Sequence, residues 1–326
     1  MKAMMTAVLA MGLAVPATAE TLKASHQFPG GKGDARDEMV QMIAREVAAA
    51  DVDLEIRVYP GESLYKAKEQ WGALEKGQLD ITSFPLDYAS GRVPQFSITL
   101  MPGLVRNHER AARLNDSPFM EEMYELIEAN GAMVLADAWL AGGFVSKKNC
   151  ITGPDSIKGQ VSRAAGPAFE QMLVGAGASI SSMPSSEIYT GMQTGVLDGA
   201  STSSGSLVSY RLQEQAKCVT IPGENALWFM YEPVLISKGT WEKLSPEQQQ
   251  ALTEAGQKAE DWFAEQAPKL DAEMEQVFKD AGVEIASMSP EDYEAWMKIA
   301  EETTFANFAK DVEGGQELLD AARAVE

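Results

Sequence analysis

Short apolar runs alternate with longer stretches in which apolar side chains recur at helical spacing. Leu22 to Ser25 and Leu54 to Tyr59 read as strands, the second stopped by Pro60-Gly61. Between them, Asp37 to Ala50 places Met39, Met42, Ile43 and Val47 on one helical face. Ser63 to Lys76 reads as a helix ended by Gly77, and Leu79 to Ser83 as the next strand. Ser117-Pro118 predicts an N-cap followed by proline in the first turn, opening a helix that runs to Asn130-Gly131. Met133 to Trp139 follows as a strand. This alternation predicts an α/β chain whose sheets are mostly parallel and flanked by helices.

The last third changes character. From Pro246 to Ala281 nearly every residue is a good helix former, with one interruption at Pro268 and Gly282 placed to end the run. Ser245-Pro246-Glu247-Gln248 is a strong helix start. Pro268 predicts a kink, because proline removes a backbone donor and crowds the preceding turn. Val283 to Ser287 reads as a strand and Ser289-Pro290 as another helix start. An internal echo links the first two thirds. Gly77-Gln78-Leu79-Asp80 and Gly195-Val196-Leu197-Asp198 share Gly-x-Leu-Asp between a helix end and a strand start. Either glycine caps are common and the match is chance, or the chain holds two similar α/β lobes around a cleft.

The N-terminus offers Lys2, an apolar run from Met4 to Val15, then Pro16-Ala17-Thr18-Ala19. A positive charge, a short apolar core and a small-x-small ending predict a secretory signal peptide over residues 1–19. The expectation is therefore a periplasmic protein, exported through a cleaved signal. In an oxidising compartment Cys150 and Cys218 read as one disulfide; two buried free thiols are the alternative.

Charge narrows the partners. Lys plus Arg number 27 against 48 Asp plus Glu, a formal net charge of −21. That argues against nucleic acid and anionic membrane as partners. His26 and His108 are the only histidines, so zinc and His-based catalysis have little to work with, and no metal or cofactor is expected. Gly30-Gly31-Lys32-Gly33 lacks the spacing of a phosphate loop, and Ser201 to Ser206 holds no Gly-x-Ser-x-Gly frame.

One segment is specific. Lys158-Gly159-Gln160-Val161-Ser162-Arg163 precedes an apolar helix, and Met183-Pro184-Ser185-Ser186-Glu187-Ile188-Tyr189 leads on to Gln193-Thr194-Gly195-Val196-Leu197-Asp198-Gly199. These residues fill the pattern Lys-Gly-x-x-x-Arg, then Met-Pro-x-Ser-Glu-x-Tyr-x-x-x-Gln-x-Gly-x-x-Asp-Gly. The segment resembles the second lobe of the DctP family, the solute receptors of tripartite ATP-independent periplasmic (TRAP) transporters. Ala24-Ser25-His26 with Pro29, Lys76 to Asp80, and Tyr231-Glu232-Pro233 through Leu244-Ser245-Pro246 extend the resemblance over most of the chain.

The resemblance implies a two-lobed periplasmic binding protein of the type II-like class, with mixed sheets flanked by helices and the long kinked helix bridging both lobes. Lobe one is expected over 20–144 plus about 231–268, and lobe two over 145–230 plus about 269–326. The function implied is capture of a small solute and delivery to the small and large membrane subunits of a TRAP transporter, without chemistry. By resemblance, Arg163 grips the ligand's carboxylate; a guanidinium matches a carboxylate with two parallel hydrogen bonds. Departures bear on the ligand. Ser201 and Thr202 stand where relatives commonly have Glu-Asn, and Ser185 where an aromatic is frequent. Ala141-Gly142-Gly143-Phe144 lacks a second Arg found there in some members, leaving Lys147 and Lys148 as the nearest cations. The expectation is one fixed charge contact and a small monocarboxylate. Ser83, Ser185 and Thr202 are candidate hydroxyl contacts, and Phe84, Trp139, Phe144, Trp228, Tyr231 and His26 candidate walls of the cleft. Two alternatives stand beside this reading: a small amine or amino alcohol in an aromatic cage, or an exported enzyme using the cleft.

Overall fold

A computed structural model describes residues 20–31 and 33–325. The expected signal peptide lies outside the described residues. The chain begins with β1 (Glu20–Ser25), α1 (Ala35–Ala49), β2 (Leu54–Tyr59), α2 (Ala67–Glu75), β3 (Ile81–Ser83), α3 (His108–Asn115), α4 (Pro118–Ala129) and β4 (Ala132–Ala136). It continues with β5 (Trp139–Ser146), β6 (Val161–Arg163), α5 (Pro167–Gly175), β7 (Ser179–Ile180), α6 (Ile188–Thr194), β8 (Gly199–Ser203), α7 (Ser204–Ser209), β9 (Cys218–Thr220) and β10 (Trp228–Tyr231). Last come β11 (Val234–Ser237), α8 (Lys238–Trp241), α9 (Pro246–Asp280), β12 (Glu284–Ala286), α10 (Pro290–Ala300), α11 (Ala306–Asp311) and α12 (Gly315–Ala324).

Two sheets result. The first runs β2-β1-β3-β11-β4; the second runs β12-β9-β5-β8-β6-β7, with β10 paired to β5. Each contains a parallel pair, β1 with β3 and β6 with β8, and each takes antiparallel neighbours. The sheets are therefore mixed, not mostly parallel. The chain leaves the first sheet between β4 and β5 and returns between β10 and β11, so two antiparallel segments connect the lobes. The expected strand Met133 to Trp139 is broken there. Asp137 turns its backbone N–H to Glu260 of α9 and its carboxylate to Tyr124 and Tyr231.

Helix starts follow the sequence closely. Ser117, Ser245 and Ser289 each accept a backbone N–H of the first turn, with proline next in the chain. The helix expected from Ser63 begins only at Ala67, because Glu62 turns the backbone at φ 60° and accepts the Ala67 N–H. Helix α3, whose N-cap is Asn107, is not among the elements expected from the sequence; it is short and polar overall, with Arg110 beside Ala111 and Leu114 among its buried residues. Helix α9 runs unbroken past Pro268 for 35 residues and packs on α1, β4, β5, α7 and β12, so it touches elements of both sheets.

The Gly-x-Leu-Asp echo has a structural counterpart. Gly77 and Gly195 both adopt positive φ and turn the chain out of a helix. Asp80 then exchanges two hydrogen bonds with Lys23 of β1: its carboxylate accepts the Lys23 N–H at 2.8 Å, and its own N–H donates back at 3.1 Å. Asp198 does the same with Val161 of β6, at 2.9 and 2.8 Å. In each lobe the motif registers the incoming strand, β3 or β8, beside its parallel neighbour, β1 or β6. The carboxyl ends of β1, β3, β6 and β8 consequently face the space between the sheets, where open α/β sheets bind ligands.

Candidate ligand-binding site

Arg163 ends β6 and is 1% exposed. Its Nε donates to the Met183 carbonyl at 2.9 Å, Nη1 to the Ser201 carbonyl at 2.7 Å and Nη2 to the Tyr88 hydroxyl at 2.9 Å. All three partners are neutral. Among the described residues no carboxylate forms an ion pair with this guanidinium, although burying a cation without an anion is costly. The two carbonyls fix its plane from lobe two, and Tyr88 reaches it from lobe one.

Tyr88 also accepts the backbone N–H of Ser185 at 3.0 Å, so one hydroxyl joins both lobes. Asp87 beside it is 1% exposed, and neither carboxylate oxygen has a hydrogen-bond partner. Its Oδ2 lies against Gly166, three residues beyond Arg163: a β-carbon built there would sit 1.5 Å from that oxygen. Burial drives the Asp87 carboxyl well above its ordinary value; Glu170 adds to the rise, and Arg163 with Ser90 offsets only part of it. Further unpartnered buried polar atoms sit at the carboxyl ends of the lobe-one strands and on β10. They are Ser25 Oγ, both amide atoms of Gln27, Ser83 Oγ and Trp228 Nε1. Buried polar groups are normally paired, and several unpaired ones at the same strand ends call for a polar guest.

Of the residues singled out from the sequence, Ser83 ends β3, Arg163 ends β6, Ser185 stands in a short helical turn and gives its backbone N–H to Tyr88, and Thr202 lies on β8 beside Ser201. The aromatics divide. Trp139 and Tyr231 pack on each other at 4.8 Å; Trp139 donates to Asn115 and Tyr231 to Asp137, and neither meets Arg163. Phe144 stacks on Trp296 and touches Phe169 inside lobe two. Phe84 packs against Trp71 and Tyr88. His26 stacks on Phe28, with Nε2 3.2 Å from Asp37. Lys147 donates to the Met192 carbonyl and Lys148 pairs with Asp198, so both turn away from Arg163.

Sequence reasoning missed Asp87, Tyr88 and Arg36. An acidic residue within the otherwise apolar Phe84-Pro85-Leu86-Asp87-Tyr88-Ala89 was the available signal for the first two. Arg36, 1% exposed, pairs with Asp34 at 2.8 Å and Glu232 at 2.9 Å, and donates to the hydroxyls of Ser203 and Ser206 in lobe two. Burial lifts the Glu232 carboxyl above its usual range despite Arg36. Burial pushes Asp34 the same way, but the charge and hydrogen bonds of Arg36 hold it below. Arg36 is thus fully engaged, and Arg163 is the buried guanidinium at these strand ends with room in its chemistry for an anion.

Residues 32–311 match the family model described as "Bacterial extracellular solute-binding protein, family 7", DctP. The chain belongs to this family of TRAP transporter solute receptors. A solute-binding protein of Albidiferax ferrireducens is 37% identical over 94% of this chain and 92% of its own length. The C4-dicarboxylate-binding periplasmic protein of Rhodobacter capsulatus is 28% identical over 89% and 88%. A TRAP periplasmic solute-binding protein from Rhodoferax ferrireducens, crystallised with bound malonate, superposes with a TM-score of 0.90 at 37% identity, covering 93% of this chain and 98% of that one. Family members and these relatives are receptors, not enzymes, and an extracytoplasmic location follows from the family. No described helix is long and apolar enough to cross a membrane. The disulfide expected from the sequence is present, Cys150 to Cys218, with Cα atoms 5.1 Å apart.

Proposed function

We propose that this chain captures a small organic acid between its lobes and hands it to the small and large membrane subunits of a TRAP transporter. Arg163 grips the carboxylate, Ser83 and Thr202 supply hydroxyl contacts, and a cleaved N-terminal signal delivers the chain to the periplasm. The segments at Asp137-Ala138 and Glu232-Pro233 act as the hinge, with α9 as the spine. The supporting observation is Arg163 itself: buried, held rigid by three neutral oxygens, and lacking an anion.

The ligand carries one carboxylate for this arginine. Malonate in a 37%-identical relative supports a small acid. A second carboxylate on the ligand would find Arg36 already paired with Asp34 and Glu232, and would face Asp87. The net charge of −21 does not oppose capture at contact, because salt screens distant charges beyond about 8–10 Å. An aromatic cage for an amine finds less support, since Trp139, Tyr231 and Phe144 are committed to packing elsewhere.

Thermal melting of the mature chain against small acids, sulfonates, amines and sugars tests the reading. An acid at about 100 times its dissociation constant adds about 2.7 kcal/mol and raises Tm by several degrees. Stabilisation by sugars or amines alone, with every acid silent, would overturn it.

A further inference from the structure

Resting on the carboxylate reading above, we infer that Asp87 is a second recognition group, and that the ligand carries a hydrogen-bond donor, an amine or a lactam or amide N–H, close to its carboxylate. Asp87 Oδ1 and Oδ2 are both buried and neither is met by a donor in good hydrogen-bond geometry, although the Ser90 hydroxyl bears on the carboxyl. Such a pair costs free energy unless something donates to it. Among the described residues no cation does: Arg163, whose charge it feels, forms no ion pair with it and turns only three of its five N–H groups, to Met183, Ser201 and Tyr88.

The surroundings bring this carboxylate close to Arg163. Tyr88, its chain neighbour, is bonded to Arg163, and Gly166, which it touches, lies three residues beyond Arg163. Gly166 is required, because any side chain would collide with Oδ2 at 1.5 Å. A guanidinium and a carboxylate thus approach each other from opposite lobes without pairing. The molecule that completes both is one with an anion and a donor a few bonds apart: an α-amino acid, a cyclic imino acid or a lactam acid. A plain acid satisfies Arg163 and leaves Asp87 stranded. A second carboxylate can be met only by protonated Asp87, the form that burial favours.

The test uses two series of one skeleton each: propionate, L-lactate and L-alanine; cyclopentanecarboxylate, L-proline and L-pyroglutamate. Each is titrated calorimetrically into the mature chain and into Asp87→Asn, Asp87→Ser and Arg163→Ala. In at least one series the nitrogen-bearing acid binds the wild type roughly tenfold tighter than its donor-free counterpart, the order of one net hydrogen bond. Both Asp87 variants collapse that preference while still binding the plain acid, and each melts no lower than wild type. Arg163→Ala loses both acids. Plain acids that bind as tightly as their nitrogen-bearing partners, with Arg163 still required, would overturn the role of Asp87 and leave the carboxylate reading standing. Binding by no acid of either series would overturn both.

Discussion

Arg163 and Tyr88 show how a single hydrogen-bonding group can hold a binding protein together across its lobes. The Tyr88 hydroxyl accepts from Arg163 and from the Ser185 backbone, and Ser185 is itself buried. Tyr88→Phe keeps the ring against Phe84 but leaves the Ser185 N–H without its partner. We expect ligand affinity to fall by roughly 1–3 kcal/mol, the cost of an unmet buried donor, with Tm of the ligand-free chain little changed. Equal affinities by calorimetry would show that Tyr88 contributes only its ring. At this level the sequence spoke unevenly. Arg163 was legible because Lys-Gly-x-x-x-Arg stands in a fixed motif. Asp87 and Tyr88 stand in no repeating pattern, and only the fold reveals that Asp87 is buried and that the partly buried Tyr88 meets Arg163.

Helix α9 and the disulfide stabilise different parts of the molecule. Glu260 on α9 accepts the Asp137 N–H at the crossing between sheets. Burial, with Asp137 nearby, raises its carboxyl from 4.5 to about 7. Between those values the folded chain holds this proton and the unfolded chain does not. The stability it confers is complete below pH 4.5 and is lost as pH climbs through about 7. Tm of the wild type, followed against Glu260→Gln, should therefore decline over that window relative to the variant, whose amide oxygen still accepts from Asp137. Parallel Tm curves would remove Glu260 from the account. The Cys150–Cys218 bridge joins β9 to the loop after β5 across 68 residues. Reducing it, or Cys150→Ser with Cys218→Ser, should cost up to about 4 kcal/mol of stability by denaturant unfolding. Ligand affinity should stay unchanged, since neither cysteine approaches Arg163; a matching loss of affinity would refute that separation. Both the α9 start and the cysteine pairing were readable, one from Ser245-Pro246-Glu247-Gln248 and one from export chemistry. The mixed character of the sheets followed from the family resemblance and not from the alternation itself, because periodicity marks a strand without giving its direction.

The molecule as a whole is two sheets joined by two crossings and one long helix, with polar groups meeting between them. Arg36 links α1 to Ser203 and Ser206, Tyr210 of lobe two donates to the Gln27 carbonyl, and Ser186 donates to Glu62. These contacts bridge the lobes on either side of Arg163. The Gly-x-Leu-Asp echo anticipated the pairing of lobes, since Asp80 and Asp198 register their strands in the same way. What no local pattern conveyed is which side chains meet across the gap, because those meetings are set by the packing of α9 and the hinge. The decisive measurement is a calorimetric titration of the mature wild type and Arg163→Ala with the acid that most raises wild-type Tm. The account expects saturable binding in the wild type and a loss of about 2–5 kcal/mol in the variant, the range for truncating one partner of a buried charge pair. Equal affinity of the two proteins for that acid would contradict it.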